Sequence, residues 1–239
     1  MKSFGMTDIG RKRKVNQDYL FFSDEPIGCF PNLYIVADGM GGHKAGDKAS
    51  SYAVNRFVEL AKKEKKELPF LVMERLLNEV NEAVYELSCK EEQYAGMGTT
   101  FVAATVSDHK VTVMNIGDSR LYYGNKELKQ ITVDHSYVEE LINAGMLDRE
   151  QGRLHPKKNV ITRALGSQAA TPDFFEFEAQ EGYLLLCSDG LSNMISDDEL
   201  KELLLDHDQI ANKTNQMIAR ANEYGGKDNI SLVIVDLKR

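Results

Sequence analysis

Cysteine is scarce in this chain, with only Cys29, Cys89 and Cys187 among 239 residues. Three thiols are too few, and their number is odd, for the disulfide framework on which small secreted domains depend. The N-terminal region has no apolar stretch of signal-peptide length, and it becomes basic at Arg11. We therefore expect a protein that works in the reducing cytoplasm.

Long hydrophobic runs, linkers and repeats are also missing. No apolar run approaches the roughly 20 residues of a transmembrane helix, so no membrane partner is expected. No proline-rich or glycine- and serine-rich stretch divides the chain, and no segment recurs. A hydrophobic content of 42% is enough for a core. Residues 1–239 are therefore predicted to form one domain, and we expect a monomer.

The chain has fewer basic than acidic residues, 29 against 37, and therefore a formal net charge of -8. A surface that binds nucleic acid needs the opposite excess. Nucleic acid is therefore not expected as a partner.

Five aspartates stand at the ends of segments that read as buried β-strands. Three follow such a segment and two precede one, namely Asp38, Asp118 and Asp189, and then Asp18 and Asp228. Neighbouring strands of an antiparallel sheet run in opposite directions, so the end of one lies beside the start of the next. We therefore expect all five carboxylates to gather along one sheet edge.

Gathered carboxylates repel one another, and a divalent cation relieves that repulsion. Ligation by oxygen alone selects hard ions, so the cluster favours Mg²⁺ or Mn²⁺ over zinc. A single aspartate at a strand end more often caps a turn. Five of them, three beside a glycine that lets the backbone approach closely, indicate a metal site instead.

Helical patterns flank a block of strand patterns along the chain. The predicted elements are helices at 48–65, from Pro69 through Leu87, from Ser196 through Leu205 and at 209–224, and strands at 99–106, 111–116 and 121–123. This order indicates sheets packed between helical layers.

Several short segments, taken in order, resemble the motifs of a known family. They are Thr7-Asp8-Ile9-Gly10 with Arg13, Asn16-Gln17-Asp18, Val36-Ala37-Asp38-Gly39-Met40-Gly41-Gly42-His43, Gly96-Met97-Gly98-Thr99-Thr100, Gly117-Asp118-Ser119-Arg120, Ser188-Asp189-Gly190 and Lys227-Asp228-Asn229-Ile230. They resemble the PPM family, the metal-dependent serine/threonine protein phosphatases of 2C type, and the loop with His43 is similar to the bacterial branch. Gln17 departs from the Glu that usually precedes this Asp in the eukaryotic branch, so only Asp18 is carried over.

The resemblance implies an α+β fold, a four-layer α/β/β/α sandwich of two antiparallel sheets flanked by helices. It also implies a serine/threonine phosphoprotein phosphatase in which a metal-bridged water attacks the phosphomonoester directly, with no covalent enzyme intermediate. The implied partners are phosphorylated Ser/Thr proteins and a bacterial Ser/Thr kinase that the enzyme opposes.

The resemblance also assigns metal ligands residue by residue. Two Mn²⁺ or Mg²⁺ ions are implied, with Asp38 bridging them and the Gly39 carbonyl completing one coordination shell. Asp189 and Asp228 would bind the other ion, and Asp18 would reach a metal directly or through water.

Two residues outside the carboxylate set have implied roles in the reaction. Arg13 would grip the phosphate with its planar guanidinium, although without the surrounding motif it reads as part of a solvated basic run. His43 would be the general acid that protonates the departing seryl or threonyl oxygen. A histidine in a glycine loop is more often a surface residue, but its position after Asp38 in a matching motif favours the catalytic role.

The remaining residues near the motifs leave alternatives open. Asp118 is either a ligand of a third, weaker metal site shared with Asp189 or a carboxylate that orients metal-bound waters. His135 and His155 are expected to pack or to form hydrogen bonds, since the implied ions prefer oxygen. The polar segment 145–165 resembles the flap of family members, and its basic residues suit a phosphopeptide, although it also reads as an ordinary surface excursion.

Other functions are weighed against this one. No cysteine is followed by arginine at the Cys-x5-Arg spacing of a cysteine phosphatase, and the glycine-rich loop lacks the Lys-Ser or Lys-Thr of a nucleotide-binding loop. Two alternatives stay open: a non-catalytic phosphoprotein-binding regulatory module, and a phosphatase of small phosphometabolites.

Overall fold

The structure of the protein is a computed structural model that describes residues 1–41, 45–65, 68–168 and 170–238. The strands in these ranges are β1 (Lys2–Asp8), β2 (Asp18–Ser23), β3 (Leu33–Met40), β4 (Gly98–Thr99), β5 (Phe101–Ser107), β6 (Lys110–Ile116), β7 (Arg120–Gly124), β8 (Leu128–Gln130), β9 (Asp173–Glu178), β10 (Tyr183–Cys187) and β11 (Ile230–Asp236). The α-helices are α1 (Ala45–Ala61), α2 (Pro69–Lys90), α3 (Tyr137–Asn143), α4 (Arg149–Leu154), α5 (Asp189–Ser192), α6 (Asp197–Leu205) and α7 (Ile210–Glu223).

Helices α2 and α6 begin where the sequence signals lie. Pro69 opens α2 at a position where its missing N–H costs no hydrogen bond, and the apolar stripe of this helix is buried through Val84. Ser196 caps α6 by accepting a hydrogen bond from the Glu199 N–H. Helix α1 spans Ala45–Ala61, so it both begins and ends earlier than the predicted 48–65. Among the described residues, no helix is both long and apolar enough to cross a membrane.

The strands form two antiparallel sheets. The first sheet has the order β1-β11-β10-β7-β8, and the second has the order β2-β3-β5-β6-β9, with β4 paired to β3. Strands β5 and β6 form a hairpin, whose two turn residues, Asp108 and His109, have the positive φ angles of 45° and 73° that such tight turns require.

Three apolar clusters divide the molecule into layers. The faces of the two sheets pack on each other through residues such as Val36 and Val233. The outer face of the second sheet packs on α1 and α2, for example through Phe57 and Phe101. The outer face of the first sheet packs on α6 and α7 through Leu204 and Ile234. The predicted four-layer α/β/β/α sandwich is therefore confirmed.

One sequence expectation about the layout is wrong. The five aspartates do not line the edge of a single sheet, because β2, β3 and β6 belong to the second sheet while β10 and β11 belong to the first. Asp38 also lies inside β3 rather than at its end, since this strand continues to Met40 by pairing with β4. The carboxylates therefore meet at one end of the sandwich, where two sheets contribute.

Candidate metal centre

All five predicted aspartates share one site. Asp18 begins β2 and is the direct cross-strand partner of Asp38 in β3. Asp118 follows β6, Asp189 begins α5 directly after β10 and Ser188, and Asp228 precedes β11. Burial raises the pKa of the Asp38 carboxyl, and the negative charges of the other four aspartates raise it further.

Ser188 links the part of the site that lies on the first sheet to the part that lies on the second sheet. Its Oγ donates a hydrogen bond of 2.7 Å to Oδ2 of Asp18, so the residue that follows β10 of the first sheet holds a carboxylate of the second. The same Oγ accepts a 3.0 Å bond from the Ser231 N–H, and the Ser188 N–H donates to the Ser231 carbonyl at 2.9 Å. Ser188 is fully buried, so these bonds are shielded from water.

Two hydrogen bonds with Thr100 set the position of the Asp38 backbone. Its N–H donates to Oγ1 of Thr100 at 2.8 Å, and its carbonyl accepts from the Thr100 N–H at 2.9 Å. Gly39 follows in a space that admits no side chain, because a Cβ there would lie 1.9 Å from the carbonyl oxygen of Gly46. Glycine is therefore required where the strand passes the start of α1.

Burial and mutual repulsion both oppose ionisation of the cluster. Burial is the main cause of the raised pKa of Asp18, which reaches about 7, and of Asp189, which reaches about 6. Burial also raises the pKa of Asp38 and of Asp118 well above the ordinary value, and neighbouring carboxylates add to both shifts. The positive charges of Arg120 and Arg13 act in the opposite direction and partly offset the raised pKa of Asp189.

The donor set fits a hard divalent cation. Oδ1 of Asp18, of Asp118 and of Asp189 are buried and have no hydrogen-bond partner among the described residues. Buried acceptors without partners are rare and costly, and they are where an ion is expected. Because the donors are carboxylate oxygens, they suit Mg²⁺ or Mn²⁺.

The carboxylates are neighbours, but they are not arranged to coordinate a metal ion together. In the described part of the chain, no three His, Cys, Asp or Glu side chains are placed so that they could hold a metal ion together. Several of their oxygens are engaged instead: Oδ2 of Asp189 accepts from the side chain of Asn193 at 2.9 Å, and Oδ2 of Asp228 accepts from Arg13 at 2.7 Å. Binding a cation would therefore require some of these carboxylates to turn.

Arg13 lies against the cluster and not in a solvated basic run. Its guanidinium makes an ion pair with Asp228, and 48% of its side chain is exposed. Burial lowers the pKa of Arg13, but the bond to Asp228 and the charges of Asp38 and Asp189 outweigh it, so that the pKa is raised. The guanidinium is thus both accessible and next to the carboxylates.

Asn229 holds the loop that carries Arg13, a role that the sequence did not suggest. Its side-chain amide donates to the carbonyls of Ile9 and Val15, each at 3.0 Å. Its Oδ1 accepts from the Gln17 N–H at 2.9 Å. These three bonds tie the segment between β1 and β2 to the start of β11, beside Asp228.

Arg120 is a second contributor that sequence reasoning missed. Its Nε and Nη2 bind the two carboxylate oxygens of Asp134 at 2.9 and 2.7 Å, and its Nη1 donates to the Tyr122 hydroxyl at 2.9 Å. Its positive charge opposes the upward pKa shifts of Asp118 and Asp189. The sequence signal for Arg120 was its position in the Gly117-Asp118-Ser119-Arg120 segment. Its partner Asp134 lies 14 residues further along the chain, so the contact could not be read from the sequence.

The three histidines singled out by the sequence differ in what the structure says of them. His43 lies outside the described residues. His135 is buried and accepts at Nδ1 from the Gly117 N–H at 3.2 Å, while its Nε2 lies 3.0 Å from Asp173. His155 accepts at Nδ1 from the Lys157 N–H at 3.1 Å. The expectation that His135 and His155 form hydrogen bonds is confirmed.

The segment 145–165 lies beside the carboxylates. Together with Asp118 and Asp189 it lines a cavity of about 100 Å³, to which it contributes Arg149, Arg153 and Lys158. Helix α4 forms its first half, and two backbone bonds between Leu165 and Thr99 attach its end to β4.

Comparison with known proteins identifies relatives of the chain. The family model described as protein phosphatase 2C matches residues 9–232. The serine/threonine phosphatase Stp of Listeria monocytogenes serotype 4b is 40% identical, covering 96% of this chain and 93% of its own. Protein phosphatase PhpP of Streptococcus pneumoniae serotype 2 is 38% identical over 97% and 96%. The catalytic domain of the serine/threonine protein phosphatase PstP, solved with two manganese ions, superposes with a TM-score of 0.87 at 30% identity over 100% and 98%.

With a chelator present, the protein should lose stability as the pH rises from about 5 to about 7.5. The raised pKa values of Asp18 and Asp189, about 7 and about 6, mean that the folded state keeps protons that the unfolded state releases near pH 4. The stability from these protonated carboxyls is complete at low pH and is lost as the pH passes through the folded pKa values. Thermal unfolding in chelator at several pH values measures this loss.

Added Mn²⁺ should restore stability at neutral pH, by about 2.7 kcal/mol when it exceeds its dissociation constant a hundredfold.

An Asp18→Asn variant provides the control for the pH dependence. It lacks one of the carboxyls with a raised pKa, so its melting temperature in chelator should fall less over the same pH range. A parent protein that becomes more stable between pH 5 and 7.5 in chelator would contradict the assignment of a repelling cluster.

Proposed function

The chain belongs to the protein phosphatase 2C family, and we propose that it removes phosphate from phosphoserine and phosphothreonine in proteins in a metal-dependent reaction. One observation carries the proposal: five aspartates gather at a single site, and the guanidinium of Arg13 lies against them. A phosphomonoester dianion repels nucleophiles, so its hydrolysis needs groups that hold cations and a group that holds the phosphate. Both kinds of group meet here.

We assign the ligands of two core ions, Mn²⁺ or Mg²⁺, to Asp38, the Gly39 carbonyl, Asp189, Asp228 and Asp18. The partnerless oxygens of Asp18 and Asp189 support this assignment, as does the similarity to the manganese-containing PstP domain. When bound, the cations would activate water for attack on phosphorus and would neutralise charge on the phosphate oxygens. The partnerless oxygen of Asp118 supports a third ion there.

Arg13 would bind the phosphate of the substrate. A guanidinium offers parallel N–H donors that match two phosphate oxygens, and an arginine keeps its charge at any relevant pH. The three hydrogen bonds of Asn229 hold the loop of Arg13 in place, which limits the entropy lost when the phosphate is bound.

His43 would donate the proton that the departing oxygen needs. The alkoxide of serine or threonine is a strong base, so protonating it as the P–O bond breaks lowers the barrier. The reaction then releases the free hydroxyl of the protein and inorganic phosphate, with no covalent bond to the enzyme.

The thiol next to the site does not offer a competing route. Cys187 lies directly before Ser188 and Asp189, but it is fully buried at the end of β10. Burial raises the pKa of its thiol to about 12, so the nucleophilic thiolate is not formed near neutral pH. A phosphocysteine intermediate is therefore unfavourable, which supports direct hydrolysis.

The cellular setting and the flap are further parts of the proposal. Substrates phosphorylated on Ser or Thr require a protein kinase, so we infer that the enzyme opposes one, acting as a monomer in the cytoplasm. We also assign residues 145–165 as a flap of the single domain, a role supported by the cavity that this segment forms with Asp118 and Asp189.

The protein should hydrolyse an aryl phosphate and a phosphothreonine peptide with Mn²⁺ or Mg²⁺ and should be inactive in chelator. Asp38→Asn keeps the shape of the side chain but removes the charge, so the rate should fall by about 10²-fold or more. Asp47→Asn makes the same change at an exposed aspartate of α1 and is the matched control. Turnover that persists in chelator would overturn the mechanism. Metal binding without phosphate release would favour the regulatory module, and turnover of small phosphometabolites alone would favour the metabolic phosphatase.

Arg13→Ala should raise the Michaelis constant for a phosphopeptide and change kcat much less, provided that Arg13 binds ground state and transition state alike. Arg13→Lys should restore binding only in part, since an ammonium lacks the planar fork. Arg11→Ala serves as the control, because its side chain donates to the carbonyl of Asn222 and not to the cluster. An unchanged Michaelis constant in Arg13→Ala would show that Arg13 does not bind the phosphate.

His43→Ala should lower kcat on a phosphothreonine peptide far more than on an aryl phosphate. A phenolate leaves without a proton, whereas a threonyl alkoxide needs one, and general acid catalysis contributes on the order of 10² to 10⁴ in rate. Steady-state rates on both substrates measure the difference. Equal losses on the two would show that His43 is not the acid.

A further inference from the structure

Two cavities flank Asp189 at the end of the sandwich. One, of about 100 Å³, opens on the side of Asp118, and the other, of about 90 Å³, opens on the side of Asp228. Three residues line both cavities, namely Lys158, Asp189 and Asn193. Lys158 therefore lies between the two cavities, beside Asp189.

The cavity beside Asp228 has a lysine from each of two distant segments. Lys158 comes from the segment after α4, and Lys227 comes from the loop that precedes β11. Among the described residues, no salt bridge involves either ammonium group, whereas Arg13 and Arg120 are both ion-paired. Both lysines are exposed, so a ligand from solution can reach them.

The backbones that carry these lysines are held by hydrogen bonds. The Lys158 N–H donates to the carbonyl of His155 at 3.1 Å, and the Tyr137 N–H donates to the carbonyl of Val160 at 2.8 Å. On the opposite wall, the carbonyl of Gly226 accepts from the Arg11 N–H at 2.8 Å. The two walls are thus built into the fold, and only the lysine side chains have to adjust to a ligand.

We propose that Lys158 and Lys227 form a second anion-binding subsite that recognises a negatively charged group close to the phosphorylated residue of the substrate. The ligand would be either the carboxylate of an Asp or Glu or a second phosphate. The proposal rests on the proposed function, because it assumes that a phosphoprotein occupies the neighbouring centre.

The size and charge of the cavity fit this ligand class. A volume of about 90 Å³ exceeds several-fold the roughly 10–15 Å³ that one water requires, so a carboxylate or phosphate group fits. Two ammonium groups provide up to six N–H donors without geometric restriction, so they accept either anion. The remaining charged lining residues, Asp189 and Asp228, are ligands of the proposed metal centre, whose cations would offset their negative charge.

The test compares phosphothreonine peptides that differ at one position. Glu and Gln are exchanged at each position flanking the phosphothreonine in turn, and a second series places phosphoserine at those positions. Exposed ion pairs are weak, so we expect a modest effect. At the flanking position that best reaches the two lysines, a negatively charged residue should raise kcat/KM by about three- to tenfold over Gln. Fluorescence anisotropy with the matching non-hydrolysable phosphonate peptides gives the same comparison for binding alone.

Variants assign the preference to residues. Lys158→Gln and Lys227→Gln should each bring the ratio of anionic to Gln peptide towards one. Lys157→Gln is the matched control, because its Nζ lies 5.2 Å from the centre of the Tyr137 ring and it lines neither cavity; the ratio should remain that of the parent. Melting temperatures check that the variants are folded.

The outcomes distinguish this proposal from the proposed function. A preference for Glu identifies a carboxylate ligand, and a preference for phosphoserine alone identifies a phosphate ligand. Metal-dependent hydrolysis with no anion preference, or an equal loss of preference in Lys157→Gln, would overturn the subsite and leave the phosphatase intact. Failure to hydrolyse any peptide would overturn the phosphatase and the subsite with it.

Discussion

Electrostatic repulsion among neighbouring aspartates is the constraint on which the rest of this structure depends. Asp18, Asp38, Asp118 and Asp189 all have raised pKa values, because burial and nearby negative charge both oppose their ionisation. Hydrogen bonds satisfy only part of the cluster, and three buried oxygens have no partner among the described residues. Proteins are stable by only a few kcal/mol, so this cost has to be offset by three apolar layers or by a bound cation.

The sandwich explains how carboxylates from distant parts of the chain are held together. The two sheets pack on each other through a core that includes Val36 and Val233, and this core sets the distance between their ends. Ser188 then bonds to Asp18 across the gap, and its own backbone is paired with Ser231. The direction of strands in each sheet, and not proximity in sequence, therefore decides which carboxylates become neighbours.

Local features of the fold and of the site could be predicted from the sequence, but contacts between remote segments could not. The helix from Pro69 and the gathering of the five aspartates were predicted, because apolar periodicity and polar residues near strand ends are local signals. The single sheet edge was wrong because partner choice depends on packing between remote strands. Strands β1 and β9 were missed, since their half-buried residues carry little pattern. The contact of Arg120 with Asp134 likewise exists only in the folded chain.

The net charge of -8 opposes the approach of an anionic phosphoprotein, and the opposition is greatest at the carboxylates, where the phosphate has to arrive. Salt screens charges beyond about 8–10 Å, so the groups within a few ångströms of the phosphate decide its affinity. In the proposed function Arg13 would be such a group, because its guanidinium lies against Asp228 and within the field of Asp38 and Asp189. An acidic protein can therefore recognise an anion when its positive groups are placed where its negative groups are most concentrated.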